Sequence, residues 1–284
     1  MSDETAAELG RADLHVHTLA SDGVSGVEEI LAFVEASDLD VVAITDHERI
    51  DAGVAAQRIA EARGLSTHII VGEEITTRNG HLVALFMTQR VKPWGSMKDS
   101  VARVHDQGGI AIVAHPLVPY PLCASEGTIR KLLDSPDPRH HPDAIEAFNP
   151  TTARMRWSKR VPDFVKDVER AAVAASDAHR ADLIGSARTR FPGRTPDDLR
   201  AAILARTTTW EGESYSWRHQ VGMFRQQTAK NLRAVRDEVR GKVRRDHTGR
   251  DLGYPGGTQR PVRFDPVAAG IADLEAGRGE EPGR

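Results

Sequence analysis

Three features of the 284-residue sequence predict an α/β barrel. Seven short apolar runs recur between residues 12 and 175. Helical patterns with recognisable starts and stops lie between most of them. No run approaches the ~20 apolar residues of a membrane span. Strands separated by helices pair in parallel through right-handed crossovers. About seven such units favour a closed barrel over an open sheet, and in such barrels chemistry gathers at the C-terminal strand ends.

The strand-like runs, in chain order, are Ala12–His17, Asp40–Thr45, Thr67–Gly72, His81–Met87, Ile110–Ala114, Ala144–Phe148 and Ala171–Ala175. Between the first two, Ser25 and Glu28 have the spacing of a capping box ahead of Ile30, Leu31 and Val34. Gly64 and the pair Gly108-Gly109 stand where helices should stop. His105 falls on the helical stretch before the fifth strand. Thr195-Pro196-Asp197-Asp198 opens a last helix with a cap, a proline at its first position and acids in its first turn.

Composition narrows the class. The chain is 39% apolar, enough for a core, and its one cysteine, Cys123, excludes an internal disulfide framework and a cysteine-cluster zinc site. The acidic start MSDETAAELG has no apolar run of the secretory kind, and the expectation is a soluble cytoplasmic protein without a membrane span. The net charge of -3 is an average. Residues 216–250 carry ten Lys/Arg against three acids, or +7, and residues 251–284 carry four against six, or -2. Subtraction leaves -8 for residues 1–215. Four regions follow: a disordered N-terminus (1–10), the barrel (11–215), a basic amphipathic helix (216–248) and a largely disordered Gly/Pro-rich tail (249–284).

The histidines and acids gather at the predicted strand ends. The first strand closes His15-Val16-His17, a period of two that aims both imidazoles at one point, as metal chelation requires. Asp22 follows in Ser21-Asp22-Gly23, and the second strand ends Thr45-Asp46-His47. The third leads into Gly72-Glu73-Glu74-Ile75, where adjacent side chains diverge and at most one glutamate faces the site. His81 opens the fourth strand, Ala114-His115-Pro116 ends the fifth, and Ser176-Asp177-Ala178-His179 ends the last. Six of the twelve histidines thus fall at successive strand ends. Any one motif reads equally well as a packed or solvated histidine; their conjunction does not.

These motifs, in this order over residues 11–210, resemble the PHP (polymerase and histidinol phosphatase) family. The resemblance implies a distorted seven-stranded (β/α)7 barrel, here with an added C-terminal helix, and a phosphoesterase with two or three divalent ions. It implies one ion on His15, His17, Glu74 and Asp177, a second on Glu74, His81 and His115, and a third on Asp22, His47 and His179. The family pattern G-x-E-I selects Glu74 over Glu73. Imidazole and carboxylate without thiolate suit zinc, manganese or iron. Asp46 is expected to orient a ligand or a water. His47, Glu74, Asp177, His179 and Asp46 are then the expected catalytic set. A water bridging two divalent ions would supply the nucleophile near neutral pH, and a third ion would help the leaving group depart.

The substrate is expected to be a phosphorylated small molecule or a nucleotide or oligonucleotide. Only Thr88–Gly109 separates the fourth and fifth strands, too short for the sizeable cap of some nucleotide-cleaving relatives. Asn149, Arg154, Arg156 and Trp157, following the sixth strand, are candidate substrate contacts. The basic helix can dock on the barrel, pair two copies of the chain or attract nucleic acid. Two other function classes remain: hydrolysis of a carboxylic ester, amide or carbamate at the same site, and a catalytically silent binding module.

Overall fold

The computed structural model describes residues 9–215. The predicted basic helix, the tail and most of the N-terminal segment lie outside the described residues. Nine strands form one sheet: β1 (Leu9–Val16), β2 (Val41–Ile44), β3 (His68–Thr77), β4 (Gly80–Leu85), β5 (Ile110–Val113), β6 (Ala144–Phe148), β7 (Ala171–Ala174), β8 (Ala187–Pro192) and β9 (Thr209–Gly212). The helices between them are α1 (Val27–Glu35), α2 (Asp51–Arg63), α3 (Met97–His105), α4 (Glu126–Leu133), α5 (Val161–Asp167) and α6 (Pro196–Ala205). The strand order is β7-β6-β5-β4-β3-β2-β1-β8-β9. All seven expected strands are present, and the fold is the expected mixed α/β barrel.

Three features depart from expectation. The sheet has two further strands, β8 and β9, joined antiparallel to β1 and to each other. β8, ARTRFP, alternates buried residues with more exposed ones, the period of a strand. The pairing is not uniformly parallel: β3–β4 and β4–β5 are antiparallel, because only Arg78 and Asn79 separate β3 from β4 and so short a link permits only a hairpin. The Ser25 capping box does not form. The N-cap is Gly26, without a side-chain cap, and the Ser25 hydroxyl accepts the Ala181 N–H at 3.1 Å, tying the entrance of α1 to the segment after β7. The Thr195–Asp198 capping box does form, and Gly64 ends α2 in a left-handed cap.

Two apolar layers position the site. An inner core of Ala12, Leu14, Val41, Ala43, Ile70, Val83, Leu85, Ile110, Ile112 and Val173 fills the barrel. An outer core lies under the helices and includes Val16, Val42, Ile44, Ile75, Leu82 and Val113. The inward parity of each strand runs from the core to the chemistry: Ile70, Gly72, Glu74 on β3; Leu85, Val83, His81 on β4; and Val173, Ala175, Asp177 on and beyond β7. Gly72 is required there, since a Cβ would lie 2.7 Å from the Thr45 methyl and 2.8 Å from the Ala84 carbonyl oxygen. On β1 the register shifts between Asp13 and Val16. That irregularity changes the phase, so that Leu14 faces the inner core while Val16 faces the outer one and His15 and His17 face inward.

Among the described residues, no backbone ladder joins β7 to β8. Instead Thr189 on β8, fully buried, accepts the Ala174 N–H at 3.1 Å and donates to the Ala174 carbonyl at 2.9 Å. One hydroxyl therefore satisfies both backbone groups at the seam. Thr189→Val should leave two buried polar groups unpaired, at about 1–3 kcal/mol each. Its Tm should fall by at least ~2–4 °C per kcal/mol in a thermal melt, with Thr189→Ser close to wild type. An unchanged Tm for the valine variant would show that the seam is held elsewhere.

Candidate metal centre

Glu74 is the middle of the site. It sits where β3 passes the end of β2, and its N–H reaches the Thr45 and Asp46 carbonyls at 3.1 and 3.2 Å. Across the hairpin, Thr76 pairs with His81, which puts Glu74 and His81 diagonally on one face. Five imidazoles surround its carboxylate: His81 Nδ1 at 2.8 Å, His15 Nε2 at 3.1 Å, His17 Nε2 and His115 Nε2 at 3.2 Å, and His47 Nδ1 at 3.4 Å. Asp177 Oδ1 lies 3.4 Å from His17 Nε2 and 3.7 Å from His15 Nε2. Asp22 joins through His179 Nε2 at 3.0 Å, His17 Nδ1 at 3.4 Å and His47 Nε2 at 3.7 Å.

All nine residues expected as ligands therefore converge. Four groups have donor atoms close enough to hold an ion: His15/His17/Asp177, Glu74/His81/His115, His17/His47/Glu74 and His17/Asp22/His179. The donor chemistry fits divalent cations. So does hydrogen bonding: His15 Nε2, His17 Nε2 and His81 Nδ1 are buried with no hydrogen-bond partner. Buried ring nitrogens are ordinarily satisfied, and here three unsatisfied ones border the same carboxylate.

Electrostatics point the same way. Burial raises the Glu74 pKa, but His81, His47 and His15 overcome it and hold the carboxyl well below its usual range. Burial lowers the His17 pKa, and Asp22, Asp177 and Glu74 overcome that, pushing it up to about 10. Asp177 is held low by His15, His17 and His179 against its burial. His47 moves the other way, downward, because burial dominates. The clustered carboxylates require positive charge nearby, which protons or metal ions supply.

The centre is graded from closed to open. The side chains of His15 and His17 are fully buried, whereas those of His47 and Asp22 are 26% and 31% exposed. Solvent therefore reaches the centre most readily at Asp22 and His47. Glu48, His115 and Asp177 adopt positive φ (58°, 29° and 53°), a conformation non-glycine residues seldom take. Such backbone clusters where side chains must be aimed at a common point.

The remaining expected residues take supporting or peripheral places. Asp46 is not in the ligand groups; it accepts the Thr18 N–H at 2.8 Å and the hydroxyls of Thr18 and Ser21, holding the loop that presents Asp22. Asn149 is buried, and its amide donates to Glu146 at 3.0 Å and to Asp177 at 3.3 Å. Arg154 and Arg156 are exposed and pair with no carboxylate among the described residues; Arg156 stacks over Trp157 at 4.3 Å. A cavity of about 260 Å³ beside them is lined by His115, Asn149, Phe148, Lys159 and Trp210 among others. Sequence reasoning passed over Glu146. It sits at the inward position of β6, and the alternation of Ala144-Ile145-Glu146-Ala147 would have placed it there.

Glu73 points away from the centre, as the divergence of neighbours on a strand requires. Its Oε2 accepts the Val91 N–H at 2.7 Å, while Oε1 is buried without a hydrogen-bond partner.

An α/β barrel whose strand ends bring imidazoles and carboxylates to one point belongs to the class of metal-centre barrel proteins. Comparison with known proteins agrees. The PHP domain matches residues 13–126 and a PHP-associated segment matches residues 156–208. An uncharacterised protein of Methanocaldococcus jannaschii is 31% identical over 150 residues, 49% of this chain and 81% of the relative. Among solved structures, a two-domain protein from Bacteroides vulgatus, described as containing a predicted PHP-like metal-dependent phosphoesterase, has a TM-score of 0.56 at 18% identity. The likeness covers 80% of this chain and 72% of that one. PsfC from Pseudomonas syringae gives the same TM-score and identity over 78% and 99%. The chain belongs to the PHP domain family.

Burial raises the Glu73 carboxyl to about 8, so the folded protein keeps its proton where the unfolded chain has lost it. Stability from this group is therefore complete below about pH 4.5 and falls as pH rises to about 8. In Glu73→Gln this slope should vanish. The Tm difference between variant and wild type should shift in the variant's favour between pH 5 and pH 8; a difference independent of pH would refute the assignment.

Proposed function

We propose that this protein is a metal-dependent phosphoesterase that hydrolyses a phosphate ester of a small molecule or nucleotide at the Glu74 centre. One observation carries the reading: five imidazoles meet a single buried carboxylate, and three of their ring nitrogens have no hydrogen-bond partner. His15, His17, Glu74 and Asp177 would hold one ion, Glu74, His81 and His115 a second, and Asp22, His47 and His179 a third. Divalent ions in such a site supply a water acidic enough to attack near neutral pH and neutralise charge on the phosphate.

The protein's own part is positioning. The deep ligands His15 and His17 are fully enclosed, and the partly exposed His47 and Asp22 would form the face that meets the substrate. Asp46 keeps the Asp22 loop in place through Thr18 and Ser21. Arg154 and Arg156, with no carboxylate partner among the described residues, are available to attract an anionic substrate, and Trp157 offers a ring for stacking. Four of the six exposed large apolar side chains among the described residues, Leu19, Val24, Trp94 and Tyr120, stand on loops tied to the ligands. The Val24 N–H binds the His179 carbonyl, the Trp94 N–H binds the Thr76 carbonyl, and the loop holding Tyr120 is joined to His81 through the Leu122 carbonyl. Exposed apolar groups on loops that carry or brace the ligands support a substrate with a ring or base beside its phosphate.

His47→Ala should lower turnover at least about a hundredfold, comparable to or greater than the loss seen when a residue supporting a metal ligand is changed, with the melting profile of the barrel retained. The assay is release of inorganic phosphate from a panel of p-nitrophenyl phosphate, its bis ester, nucleoside monophosphates and bisphosphates, and short RNA, after loading with zinc, manganese or iron. Absence of turnover with every metal and ester would overturn the reading. Replacing Arg154 and Arg156 together by alanine should raise KM severalfold, more at low salt than at high, with kcat little changed. A KM unaffected at low salt would remove both arginines from substrate binding.

A further inference from the structure

We propose that Glu146 is a positioning residue that decides which nitrogen of His15 faces the metal centre, and that it thereby sets the affinity of the site for its ions. The inference rests on the metal-binding reading above and adds to it a residue outside the ligand set.

Glu146 is 2% exposed, on the inward face of β6 next to the point where its register with β7 shifts. Three donors converge on its carboxyl group. Oε1 lies 2.7 Å from His15 Nδ1. Oε2 accepts the His115 backbone N–H at 2.7 Å and the Asn149 side-chain amide at 3.0 Å. The Asn149 amide is oriented independently, because its Oδ1 accepts the Thr151 N–H at 2.9 Å, leaving its NH₂ for Glu146 and Asp177. Glu146 thus connects three ligand-bearing segments: directly to the His15 ring and the His115 backbone, and through Asn149 to Asp177.

Two consequences follow. A neutral imidazole, the form that binds a metal ion, must present the lone pair of Nε2 when it donates from Nδ1, and Nε2 of His15 is the buried atom without a hydrogen-bond partner, 3.1 Å from Glu74. A carboxylate behind a ligand histidine fixes ring orientation and raises ligand basicity. In addition, His115 has a φ of 29°, an unfavourable backbone conformation, and the bond from its N–H to Glu146 helps hold it there.

Glu146→Gln tests the assignment because it keeps shape while removing one acceptor. A glutamine has one oxygen for donors that reach both carboxylate positions. With its NH₂ towards His15, the proton must move to Nε2, the atom that faces the cluster. With its NH₂ towards His115 and Asn149, donor meets donor. The variant should bind zinc or manganese about ten- to a hundredfold more weakly than wild type in a competition titration. The Tm of the metal-free variant should stay near that of metal-free wild type.

A purely structural role gives the opposite pattern, a lowered metal-free Tm with unchanged affinity, and would overturn the proposal. In the zinc-loaded wild type, whose folding no substitution can affect, long-range ¹H–¹⁵N spectra should show His15 protonated at Nδ1. Protonation at Nε2 would overturn the proposal by itself. If the wild type takes up neither zinc nor manganese, the metal reading fails and this one with it; if it does and Glu146→Gln matches it, only this one fails.

Discussion

A buried carboxylate with five imidazole neighbours is the constraint around which this barrel is arranged. Glu74 is 1% exposed, and an ionised group so far from water is tolerated only when partners replace its hydration. Those partners come from β1 and the residue just past its end, from the loop after β2, from β4 and from the loop after β5. Each must therefore end at the same height above the inner core. The β3–β4 hairpin serves that need by bringing His81 back beside Glu74, which a parallel crossover could not do with two residues between strands. Gly72 lets the chain approach Thr45 closely enough for the Glu74 N–H to reach across to β2's end.

The same constraint accounts for the electrostatics. Acids and imidazoles at this density cannot all keep their ordinary protonation. Asp22, Glu74 and Asp177 are pulled down and His15, His17 and His115 pushed up, each against the effect of its own burial. Glu73, one residue from Glu74 and just as inaccessible, has no imidazoles around it; burial, with Glu48 nearby, outweighs the Val91 N–H and Arg90 and shifts it the opposite way. Two adjacent glutamates of one strand thus differ in charge because the pleat sends one into the cluster and the other beneath the helices. Burial alone does not determine ionisation; the company does.

Much of this was readable in the residues themselves. The seven expected strands were visible as apolar runs, and the ligand candidates as histidines and acids at their ends, because period-two alternation ties sequence position to face. What escaped depended on contacts distant in sequence. β8 alternates as a strand should, yet its arginines at Arg188 and Arg190 masked it as a polar stretch. Ser25 has the spacing of a cap, but the Ala181 N–H, 156 residues away, competes for its hydroxyl. The phase change on β1 was invisible: His15 and His17 share a face under simple alternation, but nothing in the chain told that Leu14 would share the interior with them.

Glu146 shows why a site's supporting residues are harder to read than its ligands. Ligands announce themselves by type, since six histidines at successive strand ends are hard to account for by packing alone. A lone glutamate in Ala-Ile-Glu-Ala-Phe is compatible with a solvated edge, an ion pair or a buried support, and only its three donors distinguish it. Those donors belong to β1 and to the loops after β5 and β6, which meet only when the barrel closes. Closure in turn is made at one point by Thr189, whose hydroxyl joins β8 to the last residue of β7, Ala174, three positions before Asp177. Nearer the centre the closure is made by backbone: the Ala178 N–H reaches the His15 carbonyl at 3.2 Å and the His17 N–H reaches the Ala178 carbonyl at 2.8 Å. The strand that supplies two of the imidazoles thus also fixes Asp177 beside them, so seam and site are closed by the same chain.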